Sequence, residues 1–410
     1  MNYGSRKAGR RVWILAAVTA IAVVATAASV WQQQNRYKTN HTPELLFPDL
    51  KAAVNDVAEI RIEDSAGGFT LRRVAEAADD SDYRWVVADR DDYPAEISLV
   101  RMAILGLAEM KTTEPKTALA TLHYRLGLNL PDAAKGADNG AGVAVTLLDE
   151  SGDIDAALLI GKRKGALDQP GAAPRGPVRQ FVRRLDRDQS WLSDGAPLID
   201  ADPTRWLDHE LMDVVRGRWR DATITGDGSG NDGFIASRET PATYSFTISD
   251  QTGKPVAGIN PTEASAIGAA LAFLKFDDVR RADALDWEGA RKLVFRTFDG
   301  LIIHLEVMRD GDDSGGGVSD GGRGGVGVVR LEAAFDEALA TEGATLTADL
   351  HENFRADLRT ADDVTAEAAQ INRIAKGWAY AVPEFKTREL LKTLPDMLPD
   401  AKAAPSRQNR

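Results

Sequence analysis

Cysteine is absent from all 410 residues. Its absence excludes disulfides, thiolate metal sites and cysteine nucleophiles. Histidine is scarce: His41, His123, His209, His304 and His351 are the five copies. No two stand at H-x-x-x-H spacing, so the sequence offers no local zinc motif. His304 alternates with Ile303 and Leu305 and reads as a half-exposed strand residue. Positive charge is in the minority, 50 Lys and Arg against 62 Asp and Glu, net −12. A phosphate-binding surface needs a basic face, which argues against nucleic acid as a partner. Long apolar runs are missing too, with one exception.

The exception is Val12 to Trp31, which holds no charge, Pro or Gly. At 1.5 Å per residue such a run spans roughly 30 Å as a helix, the depth of a bilayer core. Arg6, Lys7, Arg10 and Arg11 precede it, and Gln32-Gln33-Gln34-Asn35 follow. Basic residues before an apolar run place the short end in the cytoplasm. Trp13 and Trp31 stand at the two ends, where an indole favours the headgroup boundary. Ala25-Thr26-Ala27 also fits a signal-peptide cleavage site, so a cleaved leader stays open beside an uncleaved anchor. Either reading expects a bacterial inner-membrane export route with the bulk of the chain in the periplasm. Without the four basic residues before the run, the rest of the chain carries 46 basic against 62 acidic side chains.

The remainder reads as short strands and helices. Residues 32–50 form a polar tether with Pro43 and Pro48. Val57–Glu63, Phe69–Val74 and Tyr83–Val87 are strand-like and separated by Gly or Asp clusters. Ile97, Val100, Ile104, Leu107 and Ala108 recur at helical spacing. Val143–Leu148 and Ala156–Ile160 flank the turn Asp149–Asp153, a hairpin. Gln180–Leu185 is another strand, and a helical segment is expected to carry Trp191, Leu192, Trp206, Leu207 and Leu211. The order then recurs: strands at 222–225, 234–237 and 244–248, a helix from Pro261 to Phe273, a hairpin around Phe298-Asp299-Gly300, a strand from Val326 and a helix near 363–380. The expected fold class is α+β: an N-terminal transmembrane helix followed by two repeated antiparallel-sheet-plus-helix modules. The expected divisions are a cytoplasmic segment 1–11, an anchor 12–31, a tether 32–50, modules at 51–220 and 221–395, a mobile Gly/Asp loop 310–325 in the second, and a disordered tail 396–410.

Candidate chemistry is thin. Gly322, Gly324 and Gly327 match G-x-G-x-x-G, but they enter a β-rich run rather than open a helix, which a dinucleotide loop requires. Asp310, Asp312, Ser314 and Gly315 resemble the start of a calcium loop. Its twelfth position is Gly321, so the bidentate carboxylate is missing. Asp149, Glu150 and Asp153 fall in a hairpin turn, where such residues serve the backbone. The basic cluster Lys162, Arg163, Lys164, Arg175, Arg179, Arg183 and Arg184 stands out in an acidic chain and is the candidate partner-docking patch.

Several segments resemble the bacterial DUF4340 family. These are the single N-terminal anchor followed by Leu46-Phe47-Pro48-Asp49-Leu50, the order strand–strand–Trp85 strand–helix, Leu126-Gly127-Leu128-Asn129-Leu130-Pro131 before the hairpin, and Gly377-Trp378-Ala379-Tyr380-Ala381-Val382-Pro383-Glu384-Phe385-Lys386. The likeness spans about residues 44–395. It implies a membrane-anchored companion of a gliding-motility-type auxiliary ABC transport system, beside a permease and a large exported protein. The expectation is a non-enzymatic accessory subunit that docks on proteins and needs no cofactor. Two others stay open: a periplasmic module that stacks Trp191 or Trp206 on a glycan, and a hydrolase whose site is assembled from distant residues.

Overall fold

In the computed structural model the described residues are 41–76, 79–134, 140–164, 179–226, 233–267, 270–310 and 326–398. They fall into two units. The first takes the described residues up to Arg73 and Ser98–Ala201; the second takes Val74–Ile97 and those from Asp202 on.

Alternation builds the first unit. Its strands are β1 (Glu44–Leu45), β2 (Val57–Glu63), β3 (Gly68–Glu76, up to Arg73), β6 (Lys111–Pro115), β7 (Val143–Asp149), β8 (Ile154–Lys164), β9 (Arg179–Arg184) and β10 (Ser190–Asp194). Two more, β4 (Asp79–Val87) and β5 (Tyr93–Pro94), lie in the stretch that clusters with the second unit. Ile60 and Ile62 of β2, Val145 and Leu147 of β7 and Leu158 of β8 are fully buried, the period-2 pattern of a strand with one face in a core. The strand order is β1-β6-β10-β9-β8-β7-β2-β3, and its neighbours pair antiparallel. Helix α1 (Ile97–Glu109) turns Val100, Ala103, Ile104, Leu107 and Ala108 inward.

The second unit adds β11 (Glu210–Met212), β12 (Trp219–Ile224), β13 (Phe234–Ser237), β14 (Thr247–Ser249), β15 (Leu274–Lys275), β16 (Asp278–Arg281), β17 (Arg291–Thr297), β18 (Leu301–Asp310), β19 (Val326–Phe335) and β20 (Trp378–Val382). The helices used below are α2 (Pro261–Ile267), α3 (Glu337–Thr347), α4 (Ala361–Ala375) and α5 (Glu384–Leu390). The main sheet runs β14-β13-β12-β17-β18-β19-β20-β16, and β11 pairs with β15 separately.

Seven strands of the two sheets correspond in order: β6-β10-β9-β8-β7-β2-β3 against β16-β20-β19-β18-β17-β12-β13. Register matches as well. Val143 pairs with Ile160 as Arg291 pairs with Val307. A bulge interrupts β2 between Val57 and Glu59, and another interrupts β12 between Trp219 and Asp221.

The expected class is corrected. The described residues are mostly antiparallel sheet rather than α+β. Nor are they two equal sheet-plus-helix modules, since α3 and α4 lie between β19 and β20, whereas β9 and β10 are joined by a short turn. Among the described residues no helix is long and apolar enough to cross a membrane. The run 12–31 that carried the transmembrane expectation lies outside them. The segment at Trp191 and Leu192 is strand β10 rather than helix, and Trp206, Leu207 and Leu211 sit in or beside a 3-10 turn and β11. Consecutive apolar residues read alike for a helix and for a strand buried on both faces; Ser190, Leu192 and Ser193 are all fully buried.

Candidate interaction surfaces

The basic cluster is divided by the strands that carry it. Lys162, Arg163 and Lys164 close β8 and are exposed. Arg179 opens β9 directly opposite Lys164. Glu114 on β6 sits among them, 3.1 Å from Arg179, 3.6 Å from Lys164 and 2.5 Å from Lys116. The hydrogen bond from Lys116, with the charges of Lys164 and Arg179, holds the Glu114 carboxyl below its ordinary range. Arg183 and Arg184 stand at the far end of β9, about 13 Å along a strand. Arg183 is buried; its guanidinium donates to the Arg184 and Arg187 carbonyls, and burial pushes its pKa down. Arg184 pairs with Asp186 and lies 4.9 Å over the Phe47 ring. The structure therefore brings Lys164 and Arg179 together on Glu114, places Lys162 and Arg163 on the same strand end, and leaves Arg183 and Arg184 apart. Arg175 lies outside the described residues, as do Asp312, Ser314, Gly315, Gly321, Gly322 and Gly324.

Other singled-out residues serve the backbone. Asp149 Oδ1 accepts from Ser151 N, Ser151 Oγ and Asp153 N, which closes the β7–β8 turn. His123 Nε2 donates to Asp188 O, and His209 Nδ1 donates to Phe276 O. His351 Nδ1 accepts from Asn353 N at a helix start. His41 bonds Thr112 Oγ1 and lies against Trp191, ring centroids 4.7 Å apart. His304 is exposed on β18 between Val294 and Glu332. No three His, Asp or Glu side chains are placed to hold a metal among the described residues. Gly327 belongs to β19, where Thr387 occupies the space a side chain would need.

The segment Leu126–Pro131 has a packing role. Leu128 is fully buried against Ala144 and Leu159 of the first sheet. Asn129 N donates to Gly140 O, and Gly142 N donates to Asn129 O. A Cβ on Gly161 would overlap Leu126 O, and one on Gly142 would press on Gly127 O. The segment is a strap laid on the sheet where glycines let two backbones meet.

In the second unit a cavity of about 530 Å³ is lined by Leu285, Asp286, Glu288, Arg291, Met308 and Arg309 among others. Arg291 donates to the Leu391 and Lys392 carbonyls, and Arg309 pairs with Glu384. The two lining arginines thus bind neighbouring elements, and no hydroxyl nucleophile stands among the lining residues.

Exposed aromatics are the residues sequence reasoning passed over. Trp206 is buried, 3% exposed, and cannot stack on a ligand. Phe273 is 69% exposed and Phe385 58% exposed. They flank Lys386, whose buried Nζ donates to Ala270 O and Ala272 O and lies 5.8 Å from the Phe385 ring. Burial lowers the Lys386 pKa. Phe273 also sits at φ 48°, and its N–H donates to Asp213 Oδ1. A bulky residue in the left-handed region is an outlier that a glycine would avoid. The sequence reading carried the helix from Pro261 to Phe273, but it ends at Ile267. Tyr244, 73% exposed, is the most exposed of the remaining surface aromatics, which include Tyr124 and Phe354; the Arg216 guanidinium covers it at 4.2 Å.

Compared with known proteins, the chain matches no family model, no curated protein and no solved structure.

Proposed function

We propose that this chain is a membrane-anchored periplasmic accessory subunit of an ABC-type transport or envelope complex in the bacterial inner membrane. It acts by docking on proteins: an ABC permease and an exported auxiliary protein. The reading joins the basic-flanked run 12–31, and the DUF4340 resemblance, to surfaces built on rigid sheets. The observation that carries it is Phe273. Its ring faces water and its backbone is strained, two separate costs at one position. A partner that covers Phe273 and Phe385 removes the first cost, and aromatic anchors of this kind dominate binding energies at interfaces.

The test is affinity purification of the tagged full-length protein from native membranes in mild detergent, with mass spectrometry. Wild type recovers a permease, its ATPase and a large exported protein. Phe273→Gly lowers that recovery at least tenfold. The same change leaves stability unaltered or raises it by up to about 1 kcal/mol, because glycine relieves the left-handed strain at some entropic cost. Recovery of the protein alone removes the reading. The second reading, a module for an envelope glycan, is favoured by Tyr244, a phenol that Arg216 holds at the surface as a stacking platform. A thermal shift with envelope glycans that Tyr244→Ala abolishes would support it; no shift across the panel would end it.

A further inference from the structure

We infer that the outer face of α1 rests on the surface of the bilayer that holds the anchor. The inference depends on reading residues 12–31 as that anchor.

Helix α1 is apolar on two sides. Its inner stripe is packed, yet Met102 is 58% exposed and Leu105 52% exposed on the opposite side. Three residues apart, they are neighbours on one helix face. A third side chain joins them. Gly106 lacks a Cβ, so Pro197 packs onto the helix there, where a side chain would come within 2.8 Å of it. Leu198, next in the chain, is 66% exposed. The outer face of a surface helix is ordinarily polar. Here it carries two large apolar side chains, and Leu198 follows the Pro197 that packs beside them, which makes an apolar ridge of three. Arg101 on the same helix and Lys111 just after it are exposed and long enough to reach phosphate headgroups while their stems stay on apolar surface. Glu109 is the exposed carboxylate on the last turn.

The position of the chain's entry names the occupant. Leu46 N donates to Met110 O, immediately after α1. His41 is fixed to Thr112 Oγ1 on the next strand. The end of the apolar run, Trp31, precedes His41 by ten residues, a reach of at most about 36 Å. Met102 lies about 12 Å along the helix axis from Met110. The ridge is thus tied beside the membrane on a short tether. Confinement of this kind gives an effective concentration in the millimolar range, so a weak surface affinity suffices for occupancy. A partial interfacial insertion of Met and Leu side chains beside Arg and Lys is the chemistry of a helix lying in a membrane interface.

The chain has no cysteine, so single labels can be placed without background. Met102→Cys, Leu105→Cys and Leu198→Cys would each carry an environment-sensitive fluorophore in the full chain, reconstituted into phosphatidylcholine vesicles with and without phosphatidylglycerol. Ile154→Cys, on the β7–β8 hairpin and 65% exposed, is the control. A nitroxide on the lipid headgroup is expected to quench the three ridge labels at least twofold more than the control. Met102→Glu with Leu105→Glu should abolish the extra quenching at residue 198 without changing the melting transition. Vesicle flotation separates the two ways to fail. If the protein floats and all four labels quench alike, the ridge does not touch lipid and the inference falls. If the protein does not float, the anchor reading itself falls and takes the inference with it. Shielding of the ridge in native membranes but not in purified vesicles would assign it to a protein partner and also overturn the inference.

Discussion

In the first unit the described part of the connection from β6 to β7 lays residues 126–131 as a strap over the sheet; in the second, the matching connection from β16 to β17 is only residues 282–290. The first is covered by its own backbone. Gly142 and Gly161 admit the strap, and Leu128 seals it on Ala144 and Leu159. The second is covered by helices, and buried charge locks them in place. Arg218, 1% exposed, donates to Asp299 beyond β17 and to Glu367 on α4 from two edges of its guanidinium. Arg238, also buried, donates to the carbonyls of Arg216, Gly217, Trp219, Pro241 and Thr243, with all five N–H groups spent on backbone. Without a carboxylate beside it, and with Arg216 close by, burial pushes its pKa down to about 10. One strand order accepts two covers of opposite chemistry. What it fixes is the sheet and its bulge; what it leaves free is the material on the faces.

Removing a lock should damage only the unit that uses it. Arg218→Ala leaves the buried Asp299 without its cation, while half-buried Glu367 keeps Arg359; an uncompensated buried carboxylate of this kind costs about 3–5 kcal/mol. Denaturation followed by hydrogen exchange should show loss of protection in the second sheet, while Leu128 and its neighbours keep theirs. Equal loss in both sheets would break the distinction. Gly161→Ala comes next. The added Cβ has no room against Leu126 O and Gly127 O, and overpacking against backbone costs about 1–3 kcal/mol. The matching position in the second sheet is Met308, one residue after Val307 as Gly161 is one after Ile160. No strap crosses it, so Met308→Ala should cost less than about 1 kcal/mol. If the two substitutions cost the same in chemical denaturation, the strap is not what demands glycine.

Strands with one wet face were legible in the sequence. Ile60 and Ile62, or Leu293 and Phe295, announce themselves because polar residues alternate with them. Strand β10 was not, since both its faces are buried. Helix α3 went unassigned: Thr341, Gly343, Thr345 and Thr347 give no helical stripe, yet the three threonines bond back to carbonyls four residues earlier, and Gly343 lets Phe298 O approach. The basic cluster looked like one patch because its residues are close in sequence. Along a strand, neighbours point to opposite faces and five residues separate two ends, so Lys164 and Arg184 cannot serve one contact. Phe273 was invisible because neither its exposure nor its backbone angle leaves a mark in the residue pattern.

The smallest expected effect concerns protons. Asp208 in the second unit is half-buried; burial, with the charges of Glu96 and Glu210, raises its pKa against a backbone hydrogen bond from Glu210 and the nearby His209. Asp155 in the first unit is raised in the same direction, by burial and by Asp149, Asp56 and Asp153. A carboxyl whose folded pKa lies above its unfolded value binds more protons in the native state. Such a group leaves stability whole below the unfolded pKa, about 3.9, and subtracts from it as pH rises through the folded pKa. Asp208→Asn should therefore stabilise the second unit at pH 7 by no more than about 1 kcal/mol, and the gain should vanish below about pH 4. Asp155→Asn should do the same in the first unit. Its carboxyl stands among three other aspartates, so salt should screen part of its penalty, whereas burial at Asp208 is indifferent to salt. Melting both variants at low and high ionic strength separates the two causes. A salt-sensitive gain at Asp208 would mean that Glu96 and Glu210, not burial, set its pKa.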